Sequence, residues 1–339
     1  GQEFEVGFDA GLLNDRLGVE FTYYSQSRSD AIIPVSVRPS TGFPGVQFKN
    51  HGEITNDGFE LQLSGTPYES NDFGVDLTLS IANNESEITD MGGAAPGILQ
   101  TGNPTTSWAQ QLFVEGFPLG AIWQKKVVSA DITGSGATAA ATNVMCEGGA
   151  ILDQATDDFP ISGGGGAAVP CDQAPHVYRG TPIPTWTISG STNVSIGRNL
   201  RVYAQVDYKG GHTMIDGNAA GSHIALFRQT RAILERTDPI LLGIESLGRD
   251  GRNQSGLIDA SFARLRRIGV TYDFPQSVAG NIGAERMSLT LSGQNLWLIW
   301  RATSEMFGHP LIDPEVRATV GEVTDPGGLS AYTRRFRPI

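Results

Sequence analysis

The sequence has little charge and no long apolar run. Only 18% of its 339 residues are charged, and acidic residues outnumber basic ones to give a formal net charge of −12. An acidic chain argues against nucleic acid as a partner. The densest apolar patch is Leu296 to Trp300, far short of the roughly 18 residues that a transmembrane helix needs. No segment of this sequence is therefore predicted to be a transmembrane helix.

Residues that could carry chemistry are equally sparse. The five histidines are scattered without the spacing of metal ligands. Gly243–Gly248 is not a nucleophile elbow, and Gly163–Gly166 lacks the Lys-Ser/Thr that follows a phosphate-binding loop. We therefore predict that the protein is not an enzyme and has no cofactor. The one alternative is a Ca²⁺ site in a loop, made by Asp153, Asp157 and Asp158, although their spacing is irregular.

The chain has two cysteines, Cys146 and Cys171, and both lie in one glycine-rich stretch. Two cysteines placed in this way suggest a disulfide formed in an oxidising compartment. The alternative is a pair of free thiols. In the entropy model a disulfide across such a loop contributes about 3 kcal/mol to its order.

Glycine, by contrast, is abundant at 43 residues, and apolar and polar residues alternate along much of the chain. Residues 259–301 show this best, as two long alternating segments flank a short connector rich in Pro, Gly and Asn. Strict alternation predicts β-strands with one apolar and one polar face. Each segment is close to the roughly 9–11 residues of a tilted membrane-crossing strand. The first residues already alternate, so we expect a piece of a longer protein.

Further alternating segments lie at residues 3–10, 17–26, 56–65, 186–196 and 200–209. Their polar face carries charges, as suits a wet lumen, whereas their apolar face is almost free of charge, as suits lipid. We therefore favour the antiparallel wall of a transmembrane β-barrel over a soluble β-sandwich, whose connections rarely run to about 45–55 residues. The clearest strand spans residues 73–82, and its predicted lipid-facing residues are Phe73, Val75, Leu77, Leu79 and Ile81.

The lengths of the connections predict a topology. Short turns near residues 11–16, 66–72, 197–199 and 276–284 belong on one side of the membrane, the periplasmic side. An even number of strands must then lie between residues 82 and 186, and Trp108–Glu115 and Leu119–Val128 supply two. This gives ten strands, with a partial eleventh at residues 331–339. The long extracellular loops are predicted at residues 34–49, 130–182 (which holds the cysteine pair), 214–258 and 302–330.

Two smaller features concern the outer end of the barrel. Arg264, Arg266 and Arg267 follow one another closely in a strand near that end. They are predicted to bind anionic lipopolysaccharide or a loop carboxylate, or else to lie in solvent. Residues 228–239 are predicted to form a short loop helix that packs on the barrel mouth.

Several motifs together resemble the C-terminal half of a TonB-dependent outer-membrane transporter of the SusC/RagA type. Residues 50–60 resemble the pattern N-x-G-x-[IV]-x-N-x-G-[FV]-E, and residues 116–120 resemble G-[YF]-P-[LI]-G. Residues 265–275 resemble L-R-x-x-x-[LV]-x-Y-x-[LF]-P, residues 294–296 resemble x-N-L, and residues 313–315 resemble D-P-E. Each motif alone is weak, whereas their shared order and spacing are fairly specific. The matching residues are Asn50, Gly52, Asn56, Gly58, Glu60, Leu265, Arg266, Tyr272, Pro275, Asn295, Leu296, Asp313, Pro314 and Glu315.

The resemblance implies that residues 1–339 are the C-terminal part of a barrel of roughly 22 strands, without its plug and its N-terminal strands. It implies import of glycan or peptide fragments across a bacterial outer membrane. The implied partners are the TonB–ExbB–ExbD energy system acting through the plug, a SusD-like lipoprotein over the long loops, and outer-membrane lipid. Two alternatives stay open, a siderophore- or vitamin-type receptor of the same class and a β-rich surface module.

Overall fold

The fold is dominated by antiparallel strands, and most of them lie in one large sheet. The computed structural model describes residues 1–37, 45–92, 97–98, 110–153, 155, 159–220, 230–248, 254–315 and 330–331. The large sheet, called the wall below, has eight strands in sequence order. They are β1 (Gln2–Leu12), β2 (Leu17–Val37), β3 (Gly45–Glu69), β4 (Phe73–Asp90), β5 (Trp186–Ile196), β6 (Leu200–Gly210), β7 (Phe262–Asp273) and β8 (Ser288–Arg301).

The wall is an up-and-down meander in which each strand pairs antiparallel with the next. The four connections predicted to be short all lie at the same end. The turn before β2 ends at Arg16, the turn before β4 is Ser70–Asp72, and Gly197–Asn199 joins β5 to β6. Helix α4 (Gln276–Gly280) lies in the fourth connection. The predicted arrangement of turns is thus correct.

Two predictions about the wall are wrong. Residues 34–49 are not one loop, because β2 and β3 stay paired as far as Val37 and Gly45. The prolines and glycines between residues 34 and 45 favour a loop in the sequence, yet the two strands stay paired beyond the register shifts between Arg28 and Ile32. Residues 108–128 do not supply two wall strands either. Their strands, Gln110–Phe113 and Ala121–Gln124, belong to a separate sheet, so the described wall has eight strands and not ten.

The chain between β4 and β5 forms small sheets that cover one end of the wall. The backbone of Ile88 in β4 bonds to Gly116 (2.8 Å) and Phe117 (3.0 Å), which attaches this insertion to the wall. Its strands are Gly97–Ile98, Gln110–Phe113, Ala121–Gln124, Val127–Thr133, Ala140–Gly148, Ile161–Ser162, Gly166–Pro170 and His176–Tyr178.

The chain between β6 and β7 adds three short helices, and one of them, Arg231–Glu235, lies within the range 228–239 in which a short helix is predicted. These are α1 (Gly217–Ala220), α2 (Arg231–Glu235) and α3 (Pro239–Ser246), in which Asp238 caps α3 by accepting from the Leu241 N–H. The remaining small strands are Thr213–Asp216, Leu257–Asp259, Glu305–Met306, His309–Pro310 and Ser330–Ala331.

The buried apolar residues lie mostly outside the wall. One cluster packs α3 against the insertion and includes Val127, Leu241 and Ile244. A second surrounds the fully buried Trp123. On the wall, by contrast, large apolar side chains such as Phe73, Leu77 and Leu79 are exposed on a single face. The wall therefore has no dry core of its own.

Aromatic pairs lie at both ends of this apolar face. Phe59 meets Trp186 edge-on at 5.9 Å, and Tyr208 stacks on Trp300 at 6.3 Å. Near the short turns, Tyr68 lies 5.8 Å from Phe73. Strand β5, with 11 residues, runs from the level of the Phe59–Trp186 pair to the level of the Tyr68–Phe73 pair. At ~3.3 Å per residue and ~40° tilt, it would cover about 25 Å along the axis of the predicted barrel.

The wall does not close on itself within the described residues. Strand β1 pairs with β2, and β8 pairs with β7, but β1 and β8 share no backbone bond. Residues 2–12 therefore do not pair with residues 288–301. The predicted partial strand at residues 331–339 falls outside the described residues except for Ala331, which pairs with Asp216.

Candidate functional site

The inner, polar face of the wall carries a network of hydrogen bonds across strands β5 to β8. Ser189 Oγ donates to Asp207 (2.8 Å), and Gln205 Nε2 donates to the same carboxylate (3.0 Å). Arg201 forms an ion pair with Asp273 at 2.9 Å. Alternation places these side chains together, because residues of one parity share a face of the sheet. This face can therefore bind water and polar groups.

An ionic cluster of two arginines and three carboxylates lies at the end of this face away from the short turns. Arg264 pairs with Asp313, and its Nε lies 2.8 Å from Glu315. Arg266 pairs with Asp207 at 2.7 Å and with Glu315 at 2.8 Å. Glu315 thus bridges both arginines, and residues 313–315 are held against the wall. Of the three arginines predicted to bind lipopolysaccharide or a loop carboxylate, or to lie in solvent, Arg264 and Arg266 bind carboxylates of residues 313–315. Arg267 is exposed and forms no ion pair with the described residues.

The strands shift register on both sides of β7 at this cluster. Arg266 is the extra residue of β7 opposite the step from Gln205 to Val206 in β6, and a second bulge lies between β7 and β8. Leu265 faces Trp297 and Arg267 faces Gln294, so the strands carry unequal numbers of residues between these pairs. Asn295 adopts a left-handed backbone conformation there, with φ at 51°. Asparagine tolerates that conformation better than most residues. Its Oδ1 accepts a hydrogen bond from Arg266 at 2.7 Å.

Burial makes the cluster energetically important. Arg264 is only 7% exposed, so its charge is largely removed from water. Losing one partner of a buried ion pair typically costs about 3–5 kcal/mol, because the other charge stays buried and unpaired. The cluster therefore stabilises the attachment of residues 313–315 to β7 and β8.

A second motif position, Gly58, makes room for an aromatic ring. Tyr24, Gly58 and Asn84 lie side by side on β2, β3 and β4. A Cβ atom at Gly58 would lie 2.5 Å from Tyr24 Oη. That hydroxyl donates to Asn84 Oδ1 at 3.1 Å. Glycine is needed here because the ring occupies the space of a side chain.

The other motif residues do not join one site. Asn50, Asn56 and Glu60 are spread along β3, and Glu60 is exposed on the inner face. Tyr272 packs against Phe274 at 5.0 Å, and Pro275 precedes α4. The set is completed by Gly52, which is buried, by Leu265 and Leu296, which face outward, and by Pro314 in the D-P-E segment.

The insertion between β4 and β5 contains a disulfide that joins Cys146 and Cys171, whose Cα atoms are 4.8 Å apart. Next to it, Glu147 forms an ion pair with Lys126 at 2.6 Å and accepts from the Gly165 N–H at 2.7 Å. The bond from Lys126 is the main reason why the pKa of Glu147 is lowered. Burial lowers the pKa of Arg179 to about 10. These groups lie in the insertion, outside the strands of the wall, and hold the insertion in shape.

The described ranges contain neither a metal-binding cluster nor a helix that could cross a membrane. Those residues hold no group of three or more His, Cys, Asp or Glu side chains that could bind a metal ion. Asp153 is described, whereas Asp157 and Asp158 of the calcium hypothesis lie outside the described residues. In the same ranges, every helix is too short or too polar to cross a membrane.

Sequence reasoning missed that three motifs converge on the ionic cluster. Arg266, Asn295 and Glu315 come from three separate motifs, and Glu315 is 49 residues from Arg266. Asp207 lies in no motif. The only signal in the sequence was the presence of adjacent arginines in one strand and of acidic residues in a later segment.

Comparison with known proteins gives a consistent result. The sequence model of a family described as "TonB dependent receptor-like, beta-barrel" matches residues 1–296. TonB-dependent receptor P26 of Formosa agariphila is 24% identical over 327 residues, which are 92% of this chain and 30% of the relative. TonB-dependent receptor SusC of Bacteroides thetaiotaomicron is 30% identical over 90 residues, which are 26% of this chain and 9% of SusC. The chain thus spans about 30% of the length of P26.

Solved structures show the same fold. The RagAB peptide transporter superposes with a TM-score of 0.66 at 21% identity, covering 92% of this chain and 32% of that chain. The RagAB peptide importer in its closed-closed state gives a TM-score of 0.65 at 23% identity, covering 88% of this chain and 32% of that chain. At this level of identity the likeness concerns the fold alone.

Proposed function

Because the chain belongs to the TonB-dependent receptor-like β-barrel family, we propose that it is part of the wall of an importer in the bacterial outer membrane. The observation that carries this proposal is the two-faced wall. Its outward face is apolar over about 25 Å between two levels of aromatic side chains, as expected for a strand crossing lipid. Its inward face is lined by hydrogen-bonded polar side chains, as expected for a wet lumen.

The proposed cargo is glycan or peptide fragments, taken up with energy relayed by TonB. The relatives support this class, since one is named a receptor of the TonB-dependent type and another a peptide transporter. Transport also suits an inner face that offers hydroxyls, amides and paired charges. We infer that the short turns face the periplasm and that the insertion with the disulfide lies outside the cell. A SusD-like lipoprotein would then cover the insertion.

The open edges of β1 and β8 fit a wall that continues beyond these strands. An unpaired backbone N–H or C=O in hydrocarbon costs several kcal/mol. Each edge strand would leave a row of such groups in lipid unless another strand pairs with it. We therefore propose that β1 pairs with a further strand of the same barrel, as the predicted half of a large barrel requires.

The test is uptake by cells that express the full-length transporter. Fluorescent oligosaccharide and oligopeptide pools are supplied to expressing cells, to cells lacking the gene and to expressing cells lacking TonB. We expect uptake of one pool that is lost without the gene and without TonB. Uptake of either pool that does not depend on TonB would contradict the proposed mechanism, and no uptake of either pool would contradict the proposed cargo.

A further inference from the structure

An apolar groove of about 790 Å³ crosses the outward face of the wall. It starts at the turn between β1 and β2, beside Arg16, and runs obliquely across β3, β4 and β5 to β6. Gly65, Gly190 and Ala204 contribute to its floor, and Leu63, Leu77 and Val206 form its sides. The groove therefore begins at the end of the short turns and extends toward the middle of the apolar band.

Strand register explains why a groove forms here. Thr192 faces Leu77 on one side and Ala204 on the other, and Gly65 faces Leu77 from β3. Small residues thus lie between large ones. The Thr192 hydroxyl donates to the backbone oxygen of Asp76 at 3.0 Å, so its polar group is already satisfied. A Cβ atom at Gly190 would meet no atom within 4 Å, so the space above it is open.

The groove has a positive charge at one end only. Arg16 is exposed, lies at the mouth of the groove and forms no ion pair with the described residues. Its neighbour Asp15 does not neutralise it there, because the Asp15 carboxylate lies against Gly11. Gly11 has the parity of the inward-facing residues of β1, so that carboxylate lies on the other side of the turn. The mouth is thus complementary to an anion.

From this combination we propose that the groove is a seat for one glycerophospholipid of the periplasmic leaflet. An acyl chain lies in the groove, and the phosphate binds the Arg16 guanidinium through charge-assisted hydrogen bonds. The placement of the groove in the leaflet rests on the proposed function, since it assumes that the short turns face the periplasm. A lipid held by the chain alone exchanges with its neighbours, whereas a lipid held at both points stays with the protein in mild detergent.

The experiment measures lipid bound to the full-length transporter by native mass spectrometry. The protein is purified, delipidated and titrated with dipalmitoyl phosphatidylglycerol or with dipalmitoyl glycerol, which has the same chains and no phosphate. We expect one tightly bound phosphatidylglycerol and at least tenfold weaker binding of the glycerol. Arg16→Gln should weaken phosphatidylglycerol at least tenfold and leave the glycerol unchanged. Gly190→Leu fills the groove and should weaken both ligands.

Two matched controls separate the seat from general effects. Arg198→Gln removes an arginine from another short turn at the same end, and Val194→Leu enlarges an outward residue of β5 outside the groove. Both variants should bind phosphatidylglycerol as the unaltered protein does. Equal binding by all variants, or equal binding of both ligands to the unaltered protein, would overturn the proposal. The proposal would also be overturned if the groove of the unaltered protein held a second copy of the protein and Gly190→Leu released that copy and no lipid.

The result is independent of cargo uptake. If the transporter takes up its cargo but retains no lipid in the groove, the lipid seat is wrong and the proposed function stands. If the protein binds phosphatidylglycerol through Arg16 but shows no TonB-dependent uptake, the proposed function is wrong.

Discussion

Replacing Leu77 with arginine places a guanidinium at the middle of the apolar face. Leu77 is 48% exposed, and its cross-strand neighbours are Gly65 and Thr192, which offer no carboxylate. It lies near the centre of the stretch between Phe73 and Asn83, so the charge is far from water on either side. Arginine at the midplane of a barrel's lipid face costs about 2–4 kcal/mol. This lowers the folding equilibrium constant by about 30- to 700-fold.

The next residue, Thr78, is the matched control. It lies on the inner face between Ser64 and Ser191, where a charged side chain reaches water. We expect Thr78→Arg to cost less than about 1 kcal/mol. Guanidinium unfolding of the full-length protein in lipid vesicles compares the two variants through their transition midpoints at equal slope. Equal losses for both variants would refute the assignment of the two faces.

Three further predictions concern the insertion and the ionic cluster. Mass spectrometry of unreduced peptides should find Cys146 linked to Cys171, and two freely alkylated thiols in native membranes would contradict this disulfide. Closing the loop, with a sequence separation of 25, contributes roughly 3.5 kcal/mol. Arg264→Met should cost about 3–5 kcal/mol and increase hydrogen exchange at residues 302–315, whereas Arg231→Met, at an exposed helix position, should change neither. The pKa of Glu147 in the folded protein lies below its ordinary value of 4.5, so the stability that Glu147 contributes is complete above pH 4.5 and is lost as the pH falls through the folded pKa. The melting temperature of the Glu147→Gln variant should therefore be lower than that of the unaltered protein at pH 7, and the difference between the two melting temperatures should narrow below pH 4.5.

The wall could be predicted from the sequence because its strands obey a local rule. In a meander each strand meets lipid on one side and the lumen on the other, so alternation is visible within about ten residues. Residues 73–82 and 186–196 show it clearly, and both are wall strands. The short turns could be located for the same reason, since they interrupt the alternation.

The insertion could not be assigned in this way because its strands lie in a globular layer. All four residues of Ala121–Gln124 are buried, so neither face of that strand is selected for lipid or for water. The prediction that residues 108–128 supply two wall strands rests on the even number of strands required between residues 82 and 186, and the number observed among the described residues, zero, meets that requirement equally well. The ends of β2 and β3 were missed for a different reason, because the prolines and glycines between residues 34 and 45 favour a loop although the two strands remain paired there.

The ionic cluster shows why motifs alone did not reveal their purpose. The Arg and the later Glu meet where β7 is bulged against both of its neighbours: Arg266 is the extra residue of β7 opposite β6, and Asn295 lies in the bulge of β8. A bulge has no strong signature in sequence. With the bulge in place, one physical requirement explains the residues of all three motifs. Asparagine accepts the left-handed backbone and binds Arg266, while Arg264 and Arg266 together hold Glu315. The extra residue of β7, Arg266, thus contacts both Asp207 and Glu315, so that a distant segment is attached to the wall by charge on its inner face.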